Sequence, residues 1–253
     1  SLNITIHLVN FVNVLSLKKK MKYVFLMLLS SIQIYAQQMD TKVIAHRGAW
    51  KEFNLPQNSI ASLEKAIELK CFGVEFDVHL TKDGVPVVNH DHDFYGIDIE
   101  TSNYEDLLVK KHENGEYLPT LKAYFDKGLA KSDTKLILEI KTSKTGGTTR
   151  TKQLVEAIIK ILPKNATPDN LEFILFDFDT AVYLKKQLNS YQVHYLEGDK
   201  KANEIKIAGL NGMDYHFKLL LNDVTIIPSF RELNLKTNSW TVNDVTIAKQ
   251  LIQ

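Results

Sequence analysis

The sequence predicts an α/β fold on a parallel sheet, and three observations carry that reading. After residue 40, short runs rich in Val, Ile, Leu and aromatic residues alternate with segments of helical periodicity. No repeat, low-complexity tract or shift in composition divides the chain there, so the units belong to one connected core. Several of the strands end in polar, chemically able residues, as strands do at the working face of a parallel barrel. Either a TIM barrel or a doubly wound sheet fits the alternation. The Gly-rich phosphate loops of the doubly wound sheet are absent.

The elements follow in order. "KVIAH" at 42–46 is the first strand. "NSIASLEKAIEL" at 58–69 is a helix, with Asn58 or Ser59 as N-cap and Ile60, Leu63, Ala66 and Ile67 on its apolar face. "GVEFDVHL" at 73–80 is a second strand; Lys82, Asp83 and Gly84 turn the chain, and the strand at 85–89 must return antiparallel. "LPTLKAYFDKGL" at 118–129 is a helix with Pro119 near its start, and "KLILEI" at 135–140 is a strand. The helix "RTKQLVEAIIKIL" is ended by Pro163. The strand "LEFILF" at 171–176, the helix "DTAVYLKKQLN", the strand "YQVHYL" at 191–196, the helix "NEIKIAGL" and the strand "GMDYHF" continue the alternation. "DVTIIPSFRELN" is mixed, "KTNSWTV" at 236–242 is a strand, and "VTIAKQLIQ" begins a helix. With the hairpin arm left out, the barrel strands number seven, near residues 43, 75, 137, 173, 193, 214 and 239.

Composition excludes some functions. The 31 Lys+Arg against 30 Asp+Glu leave no basic footprint for nucleic acid. The single cysteine, Cys71, rules out an internal disulfide and reads as a buried structural thiol. Met21 and Lys22 precede an apolar run from Tyr23 to Leu29 and then "IYAQQ", with Lys18 to Lys20 as a basic flank. This is a secretory signal over 21–36, with cleavage after Ala36, and it predicts a secreted or periplasmic protein. The apolar core is too short to span a bilayer comfortably and no cysteine follows it, so no stable membrane anchor is expected after cleavage. Residues 1–20 read as non-native upstream sequence, and 41–253 as the barrel domain.

Side chains alternate along a strand, so Glu75, Asp77 and His79 share one face of "GVEFDVHL" while Val74, Phe76, Val78 and Leu80 share the other. A barrel would gather these acids with His46 and Arg47 after the first strand and with Glu139 and Lys141 on "LILEIKT". The hairpin returns His90 to the same place. Three converging carboxylates repel one another unless a cation neutralises them, and an all-oxygen set suits Mg²⁺ or Ca²⁺ better than zinc. Two histidines serve as acid and base near neutral pH, and Arg47 and Lys141 can hold an anion. Together they suit phosphodiester cleavage. Taken singly the residues are ordinary: His79, nearest the turn, reads as solvated, His92 and Asp93 as loop residues, and Glu139 with Lys141 as a surface ion pair. The specificity lies in the ensemble.

At this point the sequence resembles the glycerophosphodiester phosphodiesterases. The resemblance rests on "HRG" at 46–48, "LPQNSIASLEKAIELKCFGVEFDVHLTKDGVPVVNHD" at 55–91, "LPTL" at 118–121, "LILEIK" at 136–141 and "WTVND" at 240–244. It implies a TIM (β/α)8-type barrel, one divalent cation, and hydrolysis of a small-molecule glycerophosphodiester to glycerol 3-phosphate and an alcohol. It also implies that His46 and His90 are the acid/base pair and that Glu75, Asp77 and Glu139 are metal ligands. Arg47 and Lys141 would be phosphate holders, Trp240 a site-facing aromatic and Asp91 a supporting residue. Two departures stand out. Gln57 replaces a glutamate of the family pattern, and the family's eighth strand has no counterpart before Gln253, so the barrel is expected to be truncated before it. The segment 92–117 matches a short insertion above the barrel. A related lysophospholipase-D or phospholipase-type barrel and a non-catalytic or inactive partial barrel are the alternatives.

Overall fold

Each apolar run becomes a strand whose two faces are both covered, which is why these strands pair in parallel. The structure, a computed structural model, describes residues 42–130 and 133–252. The predicted signal at 21–36 and the segment 1–20 lie outside the described residues. Seven parallel strands run in the order β1 (Ile44–His46), β2 (Gly73–Leu80), β6 (Lys135–Ile140), β7 (Leu171–Leu175), β8 (Gln192–Tyr195), β9 (Gly212–His216) and β10 (Lys236–Trp240). These are the seven strands read from the sequence. Among the described residues β1 and β10 are the two ends of the order, so the curled sheet is part of a TIM-type barrel. β3 (Pro86–Val88) pairs antiparallel with β2, as the short turn requires, with His79 opposite Val87.

The helices, apart from the short one at 104–107, cover the outer face. They are α1 (Ile60–Glu68), α2 (Tyr104–Leu107), α3 (Leu121–Gly128), α4 (Gly147–Ile161), α5 (Phe178–Gln187), α6 (Ala202–Ile207), α7 (Phe217–Asn222), α8 (Ile226–Glu232) and α9 (Val245–Ile252). Of the two N-cap candidates, Ser59 is the cap: its hydroxyl accepts from the Ser62 amide and the Ser62 hydroxyl accepts from the Ser59 amide. The main core fills the space between sheet and helices, with Leu63, Ala66, Val74, Phe76, Val78, Tyr124, Leu138 and Phe173 buried in it. A smaller cluster of Ile137, Ile174 and Leu196, joined by Ile44, Phe176 and Trp240, packs the other side of the strands. Cys71 is half-buried at the junction of α1 and β2 rather than fully enclosed.

The segment 92–117 has more structure than its sequence suggests. It contains a two-residue hairpin, β4 (Asp93–Phe94) with β5 (Ile97–Asp98), and the short α2. Both were missed because elements of two to four residues are too short to show a period. Phe94, Ile99 and Leu107 pack with Val87 and Leu118 in a core of their own. Two carboxylates tie this unit to the barrel. Glu116 accepts from the Ile60 and Ala61 amides at 2.9 and 3.1 Å, meeting free donors at the start of α1. Glu100 accepts from the Ser143 hydroxyl and the Lys144 and Thr145 amides, and from the Thr145 hydroxyl, in the loop after β6. That loop follows Lys141, so the insertion steadies the edge of the site.

Asp214 lies buried on β9, where its Oδ2 accepts from Asn238 Nδ2 at 3.0 Å and its Oδ1 meets no protein donor. Burial pushes its carboxyl up from 3.8 to about 8, so the folded chain keeps a proton there that the unfolded chain gives up. The stability this contributes is fully present below about pH 4 and is lost as pH rises through about 8. Asp214→Asn cannot titrate. Urea denaturation at several pH values is expected to show a smaller fall in stability between pH 4 and 8 for Asp214→Asn than for the parent. Equal slopes would mean that the carboxyl titrates in the fold as it does in water.

Candidate active site

The parallel register assembles the site. Residues opposite each other in parallel strands point to the same face, and β1 places His46 beside Glu75 while β6 places Glu139 beside Asp77. On β2 the apolar set Val74, Phe76 and Val78 faces the helices, Phe76 stacking on Tyr124 at 4.4 Å, and this fixes the opposite face. Glu75, Asp77 and His79 are all buried there. Oxygens of Glu75, Asp77 and Glu139 lie within 4.8 Å of one another.

The surrounding groups divide the charge. Asn58 holds Asp77 twice: its Nδ2 donates to Asp77 Oδ2 at 2.8 Å and its Oδ1 accepts from the Asp77 amide at 3.2 Å. Lys141 Nζ donates to Asp77 Oδ1 at 3.1 Å and lies 2.8 Å from Glu139 Oε1. Burial alone would raise the Asp77 pKa, but Lys141, His90, Asn58 and Arg47 together hold it below the usual range. The same pairing outweighs burial at Lys141 and raises its pKa. Glu75 goes the other way. Burial, with Asp77 and Glu139 beside it, pushes it well above its ordinary value, although the Arg47 amide donates to its Oε2 at 2.9 Å. Burial and Asp77 push Glu139 up to about 7.

Arg47 turns at the end of β1 with a φ of 58°. Its Nη1 donates to Gln57 Oε1 at 2.8 Å and its Nε stands 3.8 Å from Asp77 Oδ2. Gln57 therefore still orients the guanidinium without the charge of the glutamate in the family pattern. His46 Nε2 is 3.8 Å from Glu75 Oε2; burial and then Arg47 lower its pKa to about 4, so the ring is neutral at pH 7. His90 Nδ1 is 2.7 Å from Asp91 Oδ1, which fixes that nitrogen as the donor and leaves Nε2 as the other working atom. Two backbone bonds from the hairpin and β6 close the assembly: the Asn89 amide donates to Asp77 O, and the Lys141 amide to Val78 O. Trp240, at the end of β10, donates its indole N–H to Asp214 O at 2.9 Å and stands edge-on to His216 and Phe176.

The reading of His79 as solvated is wrong. The ring is buried, burial lowers its pKa to about 4, and its Nε2 lies 3.2 Å from the His90 carbonyl oxygen. It positions the backbone of a candidate catalytic residue, because β3 and the loop beyond it fold over the strand face. With His92 and Glu100 it forms a second group of potential ligands. Its bond to His90 and the four donors on Glu100 already give these side chains structural work. Asn58 was read only as a possible cap, and its role against Asp77 was missed. Its one signal is position: Asn tolerates the φ of 57° found there, and the residue precedes the true cap.

The residues fit a divalent cation. The donor set is three carboxylates, Glu75 Oε1 is buried without a hydrogen-bond partner, and Glu139 Oε1 meets Lys141 without hydrogen-bond geometry. Positive charge among them would relieve the repulsion that raises Glu75 and Glu139.

Comparison with known proteins agrees with this geometry. The family model described as the glycerophosphoryl diester phosphodiesterase family matches residues 46–253. A glycerophosphodiester phosphodiesterase of Caldanaerobacter subterraneus is 57% identical over 53 residues, 21% of each chain. The crystal structure of a glycerophosphodiester phosphodiesterase from Parabacteroides distasonis superposes with a TM-score of 0.80 at 35% identity, covering 84% of this chain and 89% of that one. A phosphodiesterase of Oleispira antarctica, solved with its product sn-glycerol-3-phosphate, shares the fold at a TM-score of 0.70 and 23% identity, over 83% of this chain and 88% of that one. On the extent of the family match and the likeness to the Parabacteroides enzyme, the chain is an enzyme of the glycerophosphoryl diester phosphodiesterase family.

Proposed function

We propose that the site hydrolyses a glycerophosphodiester to glycerol 3-phosphate and an alcohol. One divalent cation, Mg²⁺ or Ca²⁺, would be held by Glu75, Asp77 and Glu139, with His46 and His90 as the acid/base pair. The observation that carries this reading is the register that sets His46 against Glu75 and Glu139 against Asp77 at one end of the sheet. The cation would supply positive charge to the phosphoryl oxygens and polarise the phosphorus. The chain's own residues do the rest. Arg47, braced by Gln57, offers a planar fork for phosphate oxygens, and Lys141 a point charge. His46 is neutral at pH 7 and accepts the proton of the attacking oxygen. As the attacking oxygen bonds to phosphorus and the bond to the alcohol oxygen breaks, His90, oriented by Asp91 and entering the step as imidazolium, gives its Nε2 proton to the departing alkoxide, so His46 ends protonated and His90 neutral. The attacking oxygen belongs to water or to the neighbouring hydroxyl of the glycerol, and trapping a cyclic phosphate separates the two.

His46→Ala and His90→Ala are each expected to lower kcat about 10²-fold or more, with the circular dichroism of the parent retained. Full turnover in either variant removes that residue from the mechanism. Chelation is expected to abolish turnover, and added Mg²⁺ or Ca²⁺ to restore it. The same cation should raise the Tm of the parent and fail to raise that of Glu139→Gln. Equal Tm shifts in the two would place the cation elsewhere.

The basic flank and apolar run at 18–36 support export. Fractionation of bacterial cells expressing the sequence is expected to find activity in the medium or periplasm, in a product lacking residues up to Ala36. Activity confined to the cytoplasm, with that segment retained, would end the export reading.

A further inference from the structure

His79, His92 and Glu100 bring two imidazoles and a carboxylate together from three segments: β2, the loop after His90, and the insertion beyond β5. One ligand atom of each lies within 4.8 Å of the others, and His92 Nδ1 is 4.0 Å from Glu100 Oε1. The His79 and His92 rings meet edge to face, with centroids 4.8 Å apart. None of the three belongs to the oxygen cluster of Glu75, Asp77 and Glu139. We propose that His79, His92 and Glu100 form a second cation site, which takes a transition-metal ion of the zinc type and fastens the loop that carries His90.

The bonds these side chains already make leave each of them a lone pair. His79 Nε2 donates to the His90 carbonyl, so the lone pair of that ring is on Nδ1. Glu100 Oε2 accepts from the Ser143 and Thr145 hydroxyls and the Thr145 amide, whereas Oε1 accepts from the Lys144 amide alone. His92 Nδ1 has no hydrogen-bond partner. That atom is enclosed on the side of Glu100, but the side chain is 22% exposed and stands on a loop, so a turn of the ring opens a path for an ion. Two imidazole nitrogens and one carboxylate oxygen are a three-ligand zinc set, with water as the fourth ligand. Mg²⁺ and Ca²⁺ favour oxygen throughout, so the two clusters differ in the ion they suit. Ligands of a tetrahedral zinc stand about 3.3 Å apart, so binding draws these atoms together by about 1 Å. Lys141 and Lys144 near His92 are offset by Asp98 and Glu100. An ion held here would tie β2 to a residue two places beyond His90 and to the insertion, which Glu100 already joins to the loop after Lys141.

The test is calorimetric titration of metal-free Glu139→Gln, which disables the oxygen cluster, with Zn²⁺ and separately with Mg²⁺. The expected result is Zn²⁺ bound at one per chain, without comparable binding of Mg²⁺. Adding His92→Ala should weaken Zn²⁺ about 10-fold or more, and so should adding Glu100→Gln, which keeps an oxygen for the neighbouring donors. Zn²⁺ should raise the Tm of Glu139→Gln and fail to raise that of the form that also carries His92→Ala. Co²⁺ in place of Zn²⁺ should give the visible absorption of a four- or five-coordinate ion, and His92→Ala should remove it. Equal Zn²⁺ affinity and an equal Tm rise with and without His92 would overturn the site. Failure of Glu139→Gln to bind Zn²⁺ would overturn it as well. Neither result bears on the phosphodiesterase reading, whose cation is held by other residues.

Discussion

Burying like charges in one place is the constraint from which the rest of the site follows. Glu75, Asp77 and Glu139 are each less than a tenth exposed, and burial by itself favours the neutral form of every one. The chain answers unequally. Asp77 receives Lys141, Arg47 and both ends of the Asn58 amide and stays charged. Glu75 and Glu139 receive less and are pushed upward. A site so arranged has a fixed anion at its centre and two carboxyls whose charged forms an added positive charge would favour. That is the electrostatic form a cation-assisted phosphodiesterase requires.

Holding such groups together needs rigid neighbours, and the fold supplies them from three directions. Below the acids, β2 pairs with β1 and β6 in fixed register, its apolar face locked into the helix-facing core. Beside them, the turn at 82–84 throws β3 back across β2, and the His79 side chain and the Asn89 amide fasten the returning chain around His90. Above them, the insertion is clamped by Glu100 to the loop after Lys141 and by Glu116 to the start of α1. The side-chain clamps of His79, Glu100 and Glu116 touch none of the three acids, while the Asn89 amide holds the Asp77 main chain. Each limits the number of arrangements open to a residue that does, which is how a modest set of hydrogen bonds maintains a repulsive cluster.

Much of this was legible in the sequence because its signals are local. Strict alternation in "GVEFDVHL" separates an apolar face from a charged one, and a three-residue turn dictates the antiparallel return. Alternating strands and helices then fix a parallel sheet, which brings strand ends together without any knowledge of side-chain contacts. What was not legible depends on distance in space. His79 looks solvent-facing by its place near the turn, yet β3 and the insertion cover it. Asn58 looks like a helix cap, but Ser59 caps the helix and frees Asn58 for a residue on another strand. Glu100 and Glu116 sit in a segment with no periodicity, and their importance comes from partners 43 to 56 positions away.

The division between strands and loops also separates the rigid part of the site from the cavity beside it. The groups proposed to meet the phosphate lie on or next to β1, β2 and β6, where backbone pairing leaves little freedom to move. A neighbouring cavity of about 480 Å³ is lined from the loop after β1, the loop after β3 and the insertion, Asp93 and Phe94 of β4 included. The two sets meet at only a few residues, Gln57 and Asp91 among them, which touch the cavity on one side and Arg47 or His90 on the other. A change in those loops leaves the charge balance around Asp77 as it is. A change at Gln57 or Asp91 reaches both at once, because each side chain also bonds a residue of the proposed site.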